Sequence, residues 1–203
     1  MRVLDHILSC ELGDEETGLE VLGSENDKSL SIRWIAERLS MSGTSINPAL
    51  VLRNAVEMEI QGKAFYERAA EKMTDQKGKD MFLRLVEQER VHADILEDQL
   101  NMFVHDKGWI SLKQLRDGAS APKISVFEDR DIREIEIGPN AGELDVMKLG
   151  MEVERKSVEY YRAAGNGLRD KNAKDIFNWL VAQETGHLKI LQTEYDRRTK
   201  SGF

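Results

Sequence analysis

The chain has 203 residues, 40% of them hydrophobic and 33% charged, with a formal charge of −8 and one cysteine. One cysteine excludes an internal disulfide framework and a zinc or iron module held by four cysteines. The negative charge argues against a nucleic-acid partner, because phosphate binding needs clustered Lys and Arg. Since we find neither a long apolar run nor a signal-peptide pattern, we expect a cytoplasmic protein without a membrane partner.

Residues 1–46 are predicted to be an extension outside the main domain. Residues 1–28 contain eight acidic residues against Arg2 and Lys28, and so account for −6 of the net charge. This composition is typical of an acidic arm or of a short helix that docks on a partner, and both interpretations stay open. Residues 29–40 are predicted to form a short amphipathic helix. The apolar residues near the N-terminus are Val3, Leu4, Ile7 and Leu8.

Residues 47–203 are predicted to form one domain of four long helices. The first begins at Asn47-Pro48, where Asn is a helix cap. Pro has no backbone N–H, but this costs nothing at the first helical position, because an N–H there would have no partner within the helix. Asp75 is the predicted cap of the second helix. From about 106 to 141 the helical periodicity lapses, which predicts a long extended connection. The third helix is predicted over about 142–168, and Asp170 caps the fourth.

The chain repeats itself at an offset of 95 residues. Ten of eighteen positions are identical between residues 79–96 and 174–191. A repeat this long indicates a duplicated helix pair rather than a solenoid. It predicts a four-helix bundle with approximate twofold symmetry, in which short turns join each pair and a long crossover joins the two pairs.

Six ionisable residues fall on the apolar faces of these helices. They are Glu59, Glu89, His92, Glu154, Glu184 and His187. Burying four carboxylates without countercharge would cost on the order of several kcal/mol per ion, and we find no Lys or Arg on these faces. Two divalent cations would balance the carboxylates, and a Glu from each of two helices with Glu-x-x-His from each of the others is a known di-metal ligand set. In the alternative interpretation these side chains lie at the edges of the apolar faces and reach solvent. The repetition of the same pattern 95 residues later argues against that interpretation.

With these motifs the chain resembles the ferritin-like superfamily, and above all its rubrerythrin-like members without a rubredoxin domain. The resemblance covers about residues 48–200. It implies an all-α ferritin-like bundle that binds two iron ions through the six residues above, with Glu89 and Glu184 as the bridging carboxylates. It also implies that Tyr66 and Tyr161 hydrogen-bond ligand carboxylates. Manganese or zinc stays open, since carboxylate and imidazole suit these metals too. The matching segments begin at Glu59, Glu89, Glu154 and Glu184.

The sequence departs from rubrerythrin proper in two ways. Ser157 stands where rubrerythrin has an extra carboxylate, and one cysteine cannot build its four-cysteine iron domain. The six-residue set is therefore more similar to the bacterioferritin-like site. The two departures argue against efficient peroxide reduction, and electrons would have to come from an external donor or from Fe(II) itself.

Three functions follow as hypotheses. The first is a non-haem di-iron oxidoreductase that acts on peroxide or dioxygen, as a peroxidase or ferroxidase. The second is a metal-binding bundle without turnover, which sequesters iron or holds Mn or Zn for structure. The third is an interaction protein with a vestigial site, whose partners contact the acidic arm. A homodimer is expected, as is usual for such bundles. The basic end of the last helix, Arg197, Arg198 and Lys200, is predicted to be solvated.

Overall fold

The computed structural model describes residues 47–121 and 135–200, which contain five α-helices and no β-strand. The all-α prediction is confirmed. The N-terminal extension, including its predicted helix over residues 29–40, lies outside the described residues, so the domain boundary at residue 47 stays a prediction. The helices are α1 (Pro48–Lys72), α2 (Gln76–Val104), α3 (Leu112–Arg116), α4 (Glu143–Gly167) and α5 (Lys171–Lys200).

Side-chain caps fix the predicted starts of three long helices. The Asn47 side chain accepts a hydrogen bond from the Ala49 amide at 3.0 Å. Asp75 accepts from the Gly78 amide at 2.9 Å. Asp170 accepts from the amides of residues 172 and 173 at 2.7 and 3.2 Å. Each cap satisfies backbone N–H groups that have no partner in the first turn, and the three predictions are confirmed.

The connection after α2 contains a short helix, α3, that the periodicity did not predict. The Gln114 side chain accepts a hydrogen bond from the Ser111 amide, and the Ser111 hydroxyl accepts one from the Gln114 amide, which is a capping box. The buried Gln99 side chain of α2 holds the preceding loop: it donates to the Gly108 carbonyl at 3.0 Å and accepts from the Ile110 amide at 3.1 Å. The expectation of an extended chain is wrong here, because five residues are too few to show a helical period.

The four long helices pack as two antiparallel hairpins, α1 with α2 and α4 with α5, and α1 also contacts α4. Their apolar residues form two buried clusters, one around Leu52, Leu96 and Phe177 and the other around Phe65, Phe82 and Met147. The six polar residues singled out above lie between these clusters in all four helices. In the described ranges, none of the helices has the length and apolarity needed to cross a membrane.

The prediction of a solvated end for α5 is wrong for Arg198, because the side chain of this residue is fully buried. Its Nε donates to Glu194 at 2.9 Å, and its other nitrogens contact Glu143 at the start of α4 and Asp75 in the α1–α2 turn. Gly78 lies beside it, and a Cβ added there would lie 2.6 Å from the guanidinium, which would then have to shift. Three carboxylates thus replace water around this arginine and tie three helix ends together.

Candidate metal centre

The structure brings together all six residues that the sequence placed on the apolar faces. Their side chains form one cluster at the middle of the bundle, and none of the six residues is more than 4% exposed. The cluster separates the two apolar parts of the core, so water is excluded from both of its ends. The members are Glu59, Glu89, His92, Glu154, Glu184 and His187.

One half of the cluster is arranged around His92. Its Nδ1 lies 3.1 Å from Glu184 Oε1, 3.3 Å from Glu89 Oε2 and 3.4 Å from Glu59 Oε2. One ligand atom from each of these four residues lies within 4.8 Å of the others. Three carboxylate oxygens and one ring nitrogen therefore converge on a single point from three helices.

The other half is arranged in the same way around His187. Its Nδ1 lies 2.9 Å from Glu184 Oε2, 3.2 Å from Glu89 Oε1 and 3.4 Å from Glu154 Oε1. The two rings are stacked, with centroids 5.4 Å apart. Glu89 and Glu184 each turn one oxygen to one histidine and the other oxygen to the second histidine. The two halves therefore share these two carboxylates, while Glu59 and Glu154 each serve one half.

Two buried tyrosines connect the hairpins at the cluster. Tyr66 of α1 donates a hydrogen bond to Glu154 Oε1 of α4, and Tyr161 of α4 donates one to Glu59 Oε1 of α1. Burial, and then the charge of the carboxylate that each tyrosine faces, raises the pKa of both phenols. The hydroxyls therefore keep their protons and orient the two unshared carboxylates.

The cluster has a strong need for positive charge. Burial raises the pKa of Glu59 and Glu154, and the neighbouring carboxylates raise it further. Burial disfavours the charged form of His92, but its contacts with Glu184, Glu59 and Glu89 outweigh this and raise its pKa to about 11. Protons thus compensate the carboxylates in the absence of metal. Divalent cations would displace those protons, because the ligand forms are carboxylate and neutral imidazole.

Unpartnered atoms show that the cluster fits a metal better than an internal hydrogen-bond network. Within the described residues, Glu184 Oε1 and both ring nitrogens of His187 are buried and have no hydrogen-bond partner. His187 Nδ1 lies near three carboxylate oxygens but without hydrogen-bond geometry. A buried polar group without a partner costs about 1–3 kcal/mol. A cation in each half would remove that cost, because His187 Nδ1 would bind one cation and Glu184 Oε1 the other.

The sequence did not predict the neighbour of His92. The Trp179 ring packs edge-on against the His92 ring with centroids 5.1 Å apart, and the Arg116 guanidinium lies 4.8 Å above the indole. The internal repeat could not reveal this contact, since the residue that corresponds to Trp179 at the offset of 95 residues is Arg84. The surroundings of the two histidines therefore differ although their ligand partners correspond.

Comparisons with known proteins agree with this fold. A family model described as rubrerythrin matches residues 51–195. The bacterioferritin-related protein of Bacteroides fragilis, a dodecameric thioferritin, is 17% identical with a TM-score of 0.54, and the match covers 84% of this chain and 99% of that one. A hypothetical protein from Pyrococcus furiosus is 18% identical with a TM-score of 0.54, covering 78% and 93%. The search among curated proteins found no match. These likenesses confirm the predicted ferritin-like fold.

Proposed function

The chain belongs to the rubrerythrin family, and we propose that it is a non-haem di-iron carboxylate protein with oxidoreductase activity toward peroxide or dioxygen, as a peroxidase or ferroxidase. The observation that carries this proposal is the sharing of Glu89 and Glu184 between two histidines. Such an arrangement suits two adjacent cations, since each position then has three carboxylates and one imidazole. Glu59 and His92 would complete one position, and Glu154 and His187 the other.

Two bound irons would supply two electrons and Lewis-acid stabilisation for reduction of an O–O bond. The residues of the chain prepare the site for that chemistry. The histidine Nδ1 atoms and the shared carboxylates would hold the two irons. Tyr66 and Tyr161 keep the unshared carboxylates in one orientation and hold protons beside the cluster. The two apolar clusters exclude bulk water, which strengthens every electrostatic interaction within the site.

The electron source and the assembly are further parts of the proposal. With one cysteine, the chain has no four-cysteine iron module, so we propose that electrons come from an external donor or from Fe(II) as a substrate. The Bacteroides fragilis protein is described as dodecameric. That description supports assembly of this chain into an oligomer, and a homodimer is the smallest oligomer that we propose.

Metal analysis and rapid mixing test the proposal. Protein purified without chelator should contain two irons per chain and show the near-ultraviolet absorption of an oxo-bridged ferric pair. Stoichiometric zinc or manganese with no such absorption would instead support the structural alternative, since the ligand set suits these metals too. Anaerobic ferrous protein that is reoxidised much faster by peroxide than by dioxygen would support a peroxidase. The reverse order, with ferric iron accumulating, would support a ferroxidase.

A further inference from the structure

A groove of about 370 Å³ lies between α2 and α5 at the Arg198 end of the bundle. Met81 and Ile190 form its apolar floor, and Ile190 is 42% exposed. Gly186 leaves the groove open, since a Cβ added there would meet no atom within 4 Å. A cavity of about 150 Å³ is enough for a benzene ring, so this groove can receive more than one aliphatic side chain.

The rim of the groove is basic. Lys77, Arg84 and Lys189 line it and are exposed. Glu194 also lines it, but this carboxylate already accepts hydrogen bonds from two arginines of α5 and lies 3.6 Å from Lys77 Nζ. Arg84 and Lys189 have no ion pair within the described ranges. The groove therefore combines an apolar floor with uncompensated positive charge.

The internal repeat identifies a counterpart of this groove at the opposite end of the bundle, and there the chain covers it. The covering segment is residues 108–116, which include α3, and α3 contacts both α2 and α5. At an offset of 95 residues, the groove positions Lys77, Arg84 and Glu194 correspond to Asn172, Trp179 and Gln99.

All three counterparts contact the covering segment. Asn172 Nδ2 donates to the carbonyl of residue 109 at 3.2 Å. Gln99 bonds the backbone at residues 108 and 110. Trp179 lies under the guanidinium of Arg116. The groove therefore corresponds to a channel that is already used to dock a peptide segment of this chain.

The open groove and the covered channel differ in charge. Lys189 of the open groove has no ion pair within the described residues, whereas its counterpart Asp94 pairs with Arg90 of α2. The rim of the open groove is therefore left with a positive charge that the covered channel lacks at this position. A segment that fills the open groove should accordingly be acidic and should bring apolar side chains for its floor.

We propose that the acidic segment of residues 1–28 of the same chain occupies this groove. Its net charge of −6 complements the basic rim, and its four apolar residues at positions 3, 4, 7 and 8 suit the floor. With residues 29–40 helical, as predicted, the chain between residue 28 and Asn47 can still span about 40 Å. That exceeds the length of α1, about 37 Å for its 25 residues, so the segment can reach either end of the bundle.

The single cysteine of the chain, Cys10, allows a direct test in the full-length protein. A nitroxide spin label on Cys10 should give an immobilised spectrum. The double substitution Arg84→Glu with Lys189→Glu should raise the ratio of mobile to immobilised label about tenfold, because two attractive charges become repulsive. The matched control is Arg155→Glu with Arg162→Glu, which reverses two exposed cations of α4 and should leave the spectrum unchanged.

Salt and cross-linking complete the test. In 1 M salt the Debye length falls to about 3 Å, so the mobile fraction of the unmodified protein should also rise. A label whose mobility changes neither with salt nor with the groove substitutions would overturn the proposal. In a Thr193→Cys variant, a short bis-maleimide should join Cys10 to residue 193 within one chain. Cross-links found only between two chains would refute docking in the same chain.

Discussion

Replacing Glu184 should weaken metal binding at both positions, whereas replacing Glu59 should weaken it at one. Glu184 Oε1 lies 3.1 Å from His92 Nδ1, and its Oε2 lies 2.9 Å from His187 Nδ1, so one side chain serves two positions. Of the two histidines, only His92 lies close to Glu59, at 3.4 Å. Comparing the metal content of Glu184→Gln with that of Glu59→Gln therefore tests whether the Glu184 carboxylate serves both positions.

The expected size follows from the number of ligand contacts that are lost. Loss of a partner that merely orients a ligand lowers metal affinity about 10- to 100-fold. Loss of a carboxylate that binds the metal directly should lower the affinity of each position by at least about 100-fold, which is about 2.7 kcal/mol. We therefore expect about 5.4 kcal/mol of lost metal binding for Glu184→Gln and about 2.7 kcal/mol for Glu59→Gln.

Chelator competition followed by metal analysis measures these losses. Against a chelator of intermediate strength, Glu59→Gln should retain about one metal per chain and Glu184→Gln close to none. Thermal unfolding with and without metal gives an independent value, because a ligand stabilises only the state that binds it. Glu87→Gln, on the exposed face of α2, is the matched control and should retain full metal content. Equal losses for the two site variants would refute the sharing of Glu184.

Three further predictions concern the residues around the cluster and at the end of the bundle. Tyr66→Phe leaves its partner carboxylate without a donor and should lower metal affinity about 10- to 100-fold in the same competition assay, while leaving the fold intact; unchanged affinity would contradict its orienting role. Arg198→Met leaves three partly solvated carboxylates close together without their common partner. It should therefore lower the free energy of unfolding, measured in urea, by about 2–4 kcal/mol. A loss below about 1 kcal/mol would show that the ion cluster does not stabilise the fold. Hydrogen bonds from Arg197 lower the pKa of Glu194 to about 2, below the value of about 4.3 in an unfolded chain, so its stabilising contribution is present above that value and is lost as pH falls toward 2. The difference in unfolding free energy between the wild type and Glu194→Gln should therefore shrink from pH 5 to pH 2, and a constant difference would contradict the assigned pKa.

The repeat and the helical period predicted the members of the cluster because both are local properties of the sequence. Glu89 and His92 are three residues apart and share one face of α2 whatever that helix packs against. The same spacing recurs 95 residues later, which indicates that both pairs meet one centre. The short helix α3 escaped this reasoning, since Gln99 and a capping box hold it rather than an apolar period.

The burial of Arg198 shows a different limit. Its position among Arg197 and Lys200 in the last turn is typical of a solvated helix end. The structure buries it because Asp75 and Glu143 approach from other helices, and Asp75 is 123 residues away in the sequence. A charge pattern within one helix contains no information about carboxylates that arrive from elsewhere.

The sequence alone determined the starts of the long helices, the faces that point inward and the six residues that meet between the hairpins. It could do so because caps and periodicity depend on neighbours within a few residues. No local pattern indicates that Glu89 and Glu184 are shared between the histidines, or that Tyr66 reaches a carboxylate 88 residues away. The family resemblance implied both features, and only the tertiary structure shows the contacts. Only the tertiary structure also decided that one end of the α2–α5 face is covered and the other is open. These features depend on how far each helix is rotated and displaced against its neighbours, which side-chain packing between distant segments sets.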